Sequence, residues 1–126
     1  MQSNLDIEGG VNTPTVKFNV NEGQLYIIGK SIIENSMKFY TPILEWVKQY
    51  CDNPAKKTEL HIKMEYFNTS TSKYILSIIS ELGNIYNEGK NVEIFWYFAD
   101  EDMRELGEDY DEMLDPPFKL LEYSYD

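Results

Sequence analysis

The chain has 126 residues, of which 42% are hydrophobic, and its formal net charge at pH 7 is −11. This length and composition predict one globular domain over residues 1–126 and argue against a disordered chain. The negative charge excludes nucleic acid as the expected partner, because nucleic-acid phosphates require a basic surface.

The first half of the chain predicts two strands and a helix. Residues 1–13 are polar and contain glycine, which predicts a loosely ordered N-terminus. Alternation over residues 15–20, a turn at 21–23 and a second strand over 24–29 predict a hairpin. Apolar residues at helical spacing over residues 31–51 predict a helix. Pro42 either opens that helix behind a Thr41 cap or distorts a helix that begins at Asn35 or Ser36, and we favour the earlier start.

The second half alternates strands and helices. Residues 58–67 predict a strand with His61 on its outer surface and an inward set formed by Leu60, Ile62, Met64 and Tyr66. A helix over residues 71–88 ends before Gly89, and the apolar run 92–99 predicts a central strand covered on both faces. A third helix from Asp100 and a strand over 118–123 complete the chain.

The predicted order is therefore β-β-α-β-α-β-α-β. Strands that alternate with single helices predict a small α/β sandwich with a mixed, mostly parallel sheet. Polar residues alternate along several strands, so we expect the helices mainly on one face of the sheet. In such sheets the loops that follow the carboxyl ends of the strands gather at one edge, where ligands bind. We call this edge the carboxyl rim, formed by residues 30–36, 67–72 and 99–102.

Two loops of the carboxyl rim carry candidate site residues with two possible roles. Asn68, Thr69, Ser70 and Thr71 precede a predicted helix, where free amides and the helix dipole favour added negative charge such as a phosphoryl group. The same residue types are the preferred N-caps of helices, so plain capping is the alternative. Glu34, Asn35 and Ser36 have the same two interpretations, and Asp100 belongs to the third, acidic loop.

Catalysis and cofactor binding have little support in the sequence. One histidine and one cysteine, His61 and Cys51, do not assemble a nucleophilic triad, a disulfide or a multi-cysteine zinc site. Glycine-rich nucleotide loops and an EF-hand order of acids are absent, so we expect no cofactor and no metal. The chain contains neither a signal peptide nor an apolar membrane span, which predicts a cytoplasmic protein without a membrane partner.

Acidic residues are concentrated at the C-terminal end. Residues 100–126 contain 11 of the 22 acids and only 2 of the 11 bases. Either this segment is a solvated acidic surface or it meets a basic protein partner, and the former is the simpler interpretation. Tyr123 and Tyr125 near the end are aromatic residues that could support a homo-oligomer.

Several segments in this order resemble the SiaC family of bacterial regulatory phosphoproteins. They are Thr13-Pro14, Glu34-Asn35-Ser36, the aromatic-Pro-Ile-x-x-Trp segment at 40–46, Tyr66-Phe67-Asn68-Thr69-Ser70 with Lys73, and the apolar strand that contains Trp96. The resemblance implies a fold like that of the STAS domains of anti-sigma-factor antagonists. It also implies a non-enzymatic switch protein rather than a catalyst.

The resemblance further implies a phosphorylation cycle. Thr69 corresponds to the threonine that a dedicated kinase phosphorylates and a PP2C-type phosphatase dephosphorylates. Asn68 and Ser70 lie beside it, Glu34, Asn35 and Ser36 would line the same rim, and Thr71 and Asp100 join them because their loops belong to the carboxyl rim. The unphosphorylated form would bind and regulate a diguanylate cyclase, which links the chain to cyclic-di-GMP and biofilm signalling. The alternatives are an anti-sigma-factor antagonist or other partner-switching module with the same fold and, from another class, a small enzyme that uses the acidic rim.

Overall fold

A computed structural model describes residues 2–124, which form six strands and three helices. In chain order these are β1 (Leu5–Ile7), β2 (Thr15–Asn19), β3 (Gln24–Ser31), α1 (Ser36–Asp52), β4 (Lys57–Phe67), α2 (Thr69–Asn87), β5 (Asn91–Phe98), α3 (Glu101–Met113) and β6 (Phe118–Glu122). The strand β1 precedes the predicted set, so the order is β-β-β-α-β-α-β-α-β. Tyr125 lies outside the described residues.

All six strands belong to one sheet in the order of the chain, β1 to β6. The pairs β1–β2 and β2–β3 are antiparallel, and the three pairs from β3 to β6 are parallel. Each helix connects adjacent parallel strands in the same direction, and crossovers of one hand leave their helices on one face. The prediction of a mixed sheet with its helices mainly on one face is confirmed.

The core lies between the sheet and the helices. Two buried rows cross the sheet, one formed by Val16, Ile27, Ile62 and Trp96 and the other by Phe18, Leu25, Leu60 and Ile94. From α1, the Trp46 ring packs on Phe18 with centroids 5.1 Å apart. The Trp96 indole donates a 2.9 Å hydrogen bond to the Met103 carbonyl, which fixes α3 against β5.

The prediction of a loosely ordered segment over residues 1–13 is wrong for β1. Its three residues pair with β2, and Leu5 and Ile7 pack against the core. The preceding residues are held as well, because the Trp46 indole donates to the Ser3 carbonyl at 2.8 Å and the Val20 amide donates to Asn4 Oδ1 at 2.8 Å. A strand of three residues is too short to produce a recognisable alternation in the sequence.

The inward set predicted for β4 is wrong at its last member. Gly29 pairs with Met64 but Lys30 pairs with Tyr66, so Glu65 is an extra residue in β4 and forms a bulge. A one-residue bulge exchanges the faces of every later side chain. Consequently Phe67, not Tyr66, enters the core, and Tyr66 is exposed. The Glu65 carboxylate lies 3.6 Å from the Lys30 ammonium across the bulge.

The face of the sheet without helices carries an aromatic row centred on His61. The sequence predicted His61 as a surface residue, but it is buried between the rings of Tyr26 and Phe95, at centroid distances of 4.3 and 4.5 Å. Its Nδ1 lies 3.0 Å from the Tyr97 hydroxyl. Since this face is covered only by such side chains, Phe95 and Tyr97 remain half-buried and the predicted double coverage of β5 is wrong.

His61 should make the stability of the fold depend on pH. Burial lowers the pKa of His61 and outweighs the attraction of Glu59, whose Oε1 lies 3.5 Å from the buried Nε2. The unfolded chain then binds a proton more readily than the folded chain, so the free energy of unfolding should fall as the pH drops below about 6.5. Urea unfolding at pH 7.5 and 5.5 measures this decrease.

The matched variant for this prediction is His61→Phe, which keeps a ring between Tyr26 and Phe95. His61 is the only histidine of the chain, so its replacement should flatten the decrease between pH 7.5 and 5.5. An equal decrease in the wild type and in His61→Phe would assign the effect to other groups.

Candidate functional site

The carboxyl rim forms as the parallel strand order requires, because β3, β4 and β5 end at one edge of the sheet with Ser31, Phe67 and Phe98. The first two rim loops are in direct contact. The Asn68 amide donates to the Ser31 carbonyl at 3.0 Å. The structure thus brings together residues that are more than 30 positions apart in the sequence.

Asn68 is the N-cap of α2. Its Oδ1 accepts a 3.1 Å hydrogen bond from the Thr71 amide, and its Nδ2 donates to the Ile33 carbonyl at 3.2 Å. The side chain therefore satisfies one free helix amide and at the same time joins α2 to the loop before α1. The capping role predicted for this residue type is confirmed for Asn68.

Ser36 and Ser70 connect the first turns of α1 and α2. Their hydroxyl oxygens are 2.6 Å apart, and both hydroxyls donate to the Ile33 carbonyl, at 3.3 and 3.1 Å. Asn35 is the N-cap of α1 and accepts from the Lys38 amide at 3.4 Å, so α1 begins at Ser36 as predicted and Pro42 lies inside it. Glu34 is exposed, and within residues 2–124 its carboxylate has no hydrogen bond or ion pair.

Thr71 lies inside the core, not on the rim surface. Its hydroxyl is 2.8 Å from Ser31 Oγ, which in turn lies 2.7 Å from the Tyr40 hydroxyl. Burial raises the pKa of Tyr40 to about 12, against a smaller opposing effect of the hydrogen bonds from Ser31 and Thr71. This chain of three hydroxyls ties β3, α1 and α2 together. Ser31 and Tyr40 were not among the predicted site residues. For Ser31 the only signal in the sequence is a polar residue at an inward position of a strand, and Tyr40 in α1 has no such signal.

Thr69 differs from the hydroxyl residues that follow it. It is the first residue of α2, which begins two positions before the predicted start, and its side chain is exposed. Ser70 and Thr71 form the contacts described above, and the Ser72 hydroxyl donates to the Thr69 carbonyl at 2.7 Å. Within residues 2–124, only the Thr69 hydroxyl of this run of four makes no hydrogen bond.

The surroundings of Thr69 favour negative charge. As the first residues of α2, Thr69 and Ser70 present backbone amides that have no intrahelical acceptor. Lys73 lies one turn later on the same helix, four positions from Thr69, and is exposed. A phosphoryl group on the Thr69 oxygen would therefore meet amide donors, the positive end of the helix dipole and an ammonium group.

Asp100 lies on the third rim loop but does not join the hydroxyl cluster. It is exposed and caps α3, where its Oδ1 accepts from the Met103 amide at 2.8 Å. Along residues 2–124, no hydrogen bond or ion pair connects Asp100 to the loops that carry Ser36 and Thr69. Its position at the same rim follows from the sheet order alone.

Residues 2–124 offer no candidate for a metal site or a membrane-spanning helix. Across residues 2–124, no three side chains among histidine, cysteine, aspartate and glutamate are grouped closely enough to hold a metal ion. In the same part of the chain, none of the helices has the length and apolar character that crossing a membrane requires.

Comparison with protein families matches nearly the whole chain to a known family. Residues 7–123 match the model of the SiaC family regulatory phosphoprotein. An uncharacterized protein of Pseudomonas aeruginosa strain UCBPP-PA14 is 28% identical over 120 residues, which cover 94% of this chain and 95% of that protein.

Solved structures agree with this match. Apo-SiaC from P. aeruginosa superposes with a TM-score of 0.89 at 28% identity, covering 95% of this chain and 99% of that one. A structure of the diguanylate cyclase SiaD in complex with its activator SiaC, from the same organism, gives 0.89 at 27% identity with coverage of 94% and 99%. A DUF3478 protein from Shewanella loihica PV-4 with a SpoIIAA-like fold gives 0.53 at 12% identity, covering 91% and 90%, and supports the fold alone.

Proposed function

Because this chain belongs to the SiaC family of regulatory phosphoproteins, we propose that Thr69 is its phosphorylation site and that phosphorylation controls the binding of a diguanylate cyclase. The observation that supports this proposal is the exposed position of Thr69 at the start of α2. Its hydroxyl makes no hydrogen bond within residues 2–124, whereas the hydroxyls of Ser70, Thr71 and Ser72 all do. Family membership agrees with the expectation of a regulatory protein rather than an enzyme. The proposal favours the phosphoacceptor role of Thr69 over plain capping, because Asn68 already supplies the cap.

The cycle requires two further proteins. A dedicated Ser/Thr kinase transfers the γ-phosphoryl group of ATP to the Thr69 oxygen, which breaks the bond to the bridging oxygen, releases ADP and frees the hydroxyl proton. A PP2C-type phosphatase hydrolyses the phosphothreonine with water and releases inorganic phosphate. An exposed hydroxyl on a helix end suits both enzymes, because each has to reach the side chain from solvent.

The fold should tolerate the modification. A phosphothreonine adds about −1.5 to −2 charges and three strong acceptor oxygens. At the first position of α2 these oxygens face free amides, and Asn68, Ser70 and Thr71 keep their own hydrogen bonds because none of these bonds involves the Thr69 hydroxyl. The modification therefore changes the charge of the rim without removing a contact that holds it.

A partner docked over the rim should not tolerate it. Burying a doubly negative group against a surface that offers no counter-charge costs more than the docking contacts return. Release of the partner without unfolding is the result. Glu34, Asn35, Ser36 and Asp100 belong to the proposed partner surface through their positions on the rim, and we propose that the complex forms in the cytoplasm.

The choice of a cyclase as partner follows the solved relative, in which SiaC is the activator of SiaD. An anti-sigma-factor antagonist would share the fold, but the SpoIIAA-like neighbour at 12% identity supports the fold alone and not that function. The family match and the relatives at 27–28% identity favour the cyclase.

Phosphate mapping tests the acceptor directly. The chain is incubated with ATP and the kinase encoded beside its gene, and intact mass and peptide mass spectrometry are recorded. We expect one added phosphate, located on Thr69, and none in Thr69→Ala. Ser72→Ala, one turn along the same helix, is the matched control and should be phosphorylated like the wild type. Phosphate on another residue, or none at all, would refute the assignment.

A further inference from the structure

The face of the sheet that carries no helix, which we call the open face, is largely apolar at its centre. Large hydrophobic side chains of this face remain half-buried or exposed: Tyr26, Ile28, Phe95, Tyr97 and Leu121. We name these side chains, together with the buried His61 at their centre, the open-face cluster. The helices leave them uncovered, because each alternates along its strand with residues that pack in the core.

Contacts join the cluster across the neighbouring strands β3 to β6. The His61 ring stacks on Tyr26, and its centroid lies 5.9 Å from that of the Tyr97 ring. Ile28 lies two residues after Tyr26 on the same side of β3. Leu121 of β6 lies directly opposite Tyr97 of β5. The cluster is therefore one continuous surface, and such a surface marks an interaction site more often than scattered single side chains do.

The charged side chains of the open face nearly balance. Its lysines are Lys17, Lys30, Lys57, Lys63 and Lys119, and its acids are Asp6, Glu59, Glu65 and Glu93. Five positive and four negative charges sum to +1, so the remaining residues carry −12 of the net −11 of the chain. The open face is therefore the surface that a second copy of this acidic chain can approach with the least electrostatic repulsion.

Lysines of the open face also lack counter-charges. Within residues 2–124, Lys63 has no carboxylate at ion-pair distance, and its ammonium lies over the rings of Tyr97 and Tyr123, 5.8 and 4.8 Å from their centroids. In the same part of the chain, Lys17 and Lys119 on the outer strands have no carboxylate partner either. A second protein can supply the missing carboxylates.

The open face is large enough for a weak dimer. The strands β2 to β6 at a spacing of about 4.8 Å, and about seven residues along the central strands at about 3.3 Å each, span roughly 24 by 23 Å. Two copies packed face to face would bury on the order of 1,100 Å², just above the about 1,000 Å² that a specific interface requires. An interface of this size predicts a dissociation constant in the micromolar range.

A near-neutral apolar surface on a strongly acidic chain fits a second copy of the same chain. We infer that the open face is the interface of a two-fold symmetric dimer, in which the open-face clusters of two copies pack against each other with their strands antiparallel. A two-fold dimer uses the same surface of both subunits, which must therefore be self-complementary. The helices remain on the outside, so Thr69 at the start of α2 stays accessible in the dimer.

The strand register supplies that complementarity. A two-fold axis that crosses the strands at the level of His61 places Glu59 of each copy opposite Lys63 of the other, because both lie two residues from His61 on β4. On β5, Glu93 pairs with Glu59 and Tyr97 pairs with Lys63, so Glu93 faces the Tyr97 hydroxyl of the second copy. Glutamate and lysine side chains together span the about 10 Å between packed sheets.

Charge reversal tests the arrangement through the oligomeric state. Sedimentation equilibrium of the full chain from the micromolar to the millimolar range should show a monomer–dimer equilibrium. Lys63→Glu and Glu59→Lys each place like charges opposite each other, so each variant alone should raise the dimer Kd at least about tenfold. An equimolar mixture of the two should dimerise like the wild type, because every facing pair then joins a glutamate to a lysine.

A second pair of variants tests the apolar contact. Ile28 on the open face is 37% exposed, and Ile32, four residues later and beyond the end of β3, is 44% exposed. Ile28→Asp should raise the dimer Kd at least about tenfold, whereas the matched control Ile32→Asp should stay within about twofold of the wild type. Circular dichroism melts verify that all four variants fold.

Three results would overturn the inference. A chain that stays monomeric up to millimolar concentration would exclude a second copy as the occupant of the open face. A dimer that neither Ile28→Asp nor either charge reversal weakens would use another surface. An equimolar mixture of Lys63→Glu and Glu59→Lys that associates no better than its components would exclude the antiparallel pairing.

Discussion

Phosphorylated protein should bind the cyclase at least about tenfold more weakly than the unmodified protein, which corresponds to about 1.4 kcal/mol of binding free energy. The reason is the charge added at Thr69, which is exposed in the free protein and would be enclosed in the complex. The melting temperature should not fall on phosphorylation, because the new oxygens face free amides at the start of α2. Isothermal titration and thermal melts of the two forms measure these effects.

Three variants separate the hydroxyl from the charge. Thr69→Ala should bind like the unmodified wild type and resist the kinase, whereas Thr69→Glu should bind more weakly even without phosphate. Ser72→Ala removes an exposed hydroxyl whose only bond is to the Thr69 carbonyl, and it should bind normally and still respond to the kinase. Equal binding by Thr69→Ala, Thr69→Glu and phosphorylated wild type would contradict a switch at this position.

Gly107→Ala should destabilise the fold by about 2 kcal/mol or more. Gly107 is a buried residue within α3, and a Cβ atom there would lie 2.6 Å from Trp96 Nε1 and 2.8 Å from Leu120 Cδ2. The indole has no room to move, because its nitrogen donates to the Met103 carbonyl at 2.9 Å and its ring packs against Tyr110. Urea unfolding of the variant and the wild type measures the loss.

The same substitution in α2 provides a control of opposite sign. A Cβ at Gly83 would meet Pro116 at 3.5 and 3.7 Å, which is ordinary van der Waals contact. Gly83→Ala should therefore stabilise the fold by roughly 0.5–1 kcal/mol through helix propensity. A change in stability of the same sign in both variants would contradict the claim that Gly107 is needed for the close approach of α3 to Trp96.

The parts of the site that depend on local pattern could be predicted from the sequence. The change from a strand period to a helix period near residue 68 locates a helix start, and an asparagine at such a start is a cap by its own chemistry. Alternating strands and helices imply that the loops after β3 and β4 meet. These rules predicted that the loops that carry Ser36 and Asn68 would be neighbours, and hydrogen bonds between Ser36 and Ser70 and from Asn68 to the Ile33 carbonyl join them.

Other features depend on contacts that no local pattern reports. The partners Ser31 and Thr71 are 40 residues apart, so their hydrogen bond could not be read from either segment. His61 is buried because rings from two neighbouring strands enclose it, although its own position alternates outward. The bulge at Glu65 has no glycine or proline in β4 itself, because the glycine beside it, Gly29, belongs to the partner strand β3, and only the pairing of the two strands locates the extra residue.

That bulge makes β4 one residue longer than the part of β3 with which it pairs. Deleting Glu65 would close the ladder with Tyr66 still opposite Lys30 and Phe67 still opposite Ser31, so the Asn68 amide would keep the Ser31 carbonyl that it reaches at 3.0 Å. An added residue that joined the ladder after Glu65 would instead turn Phe67 toward solvent and displace Asn68. A homologue with a one-residue gap at this point would therefore keep the phosphate acceptor in place, whereas a homologue with an inserted residue there would lose the register that positions Thr69.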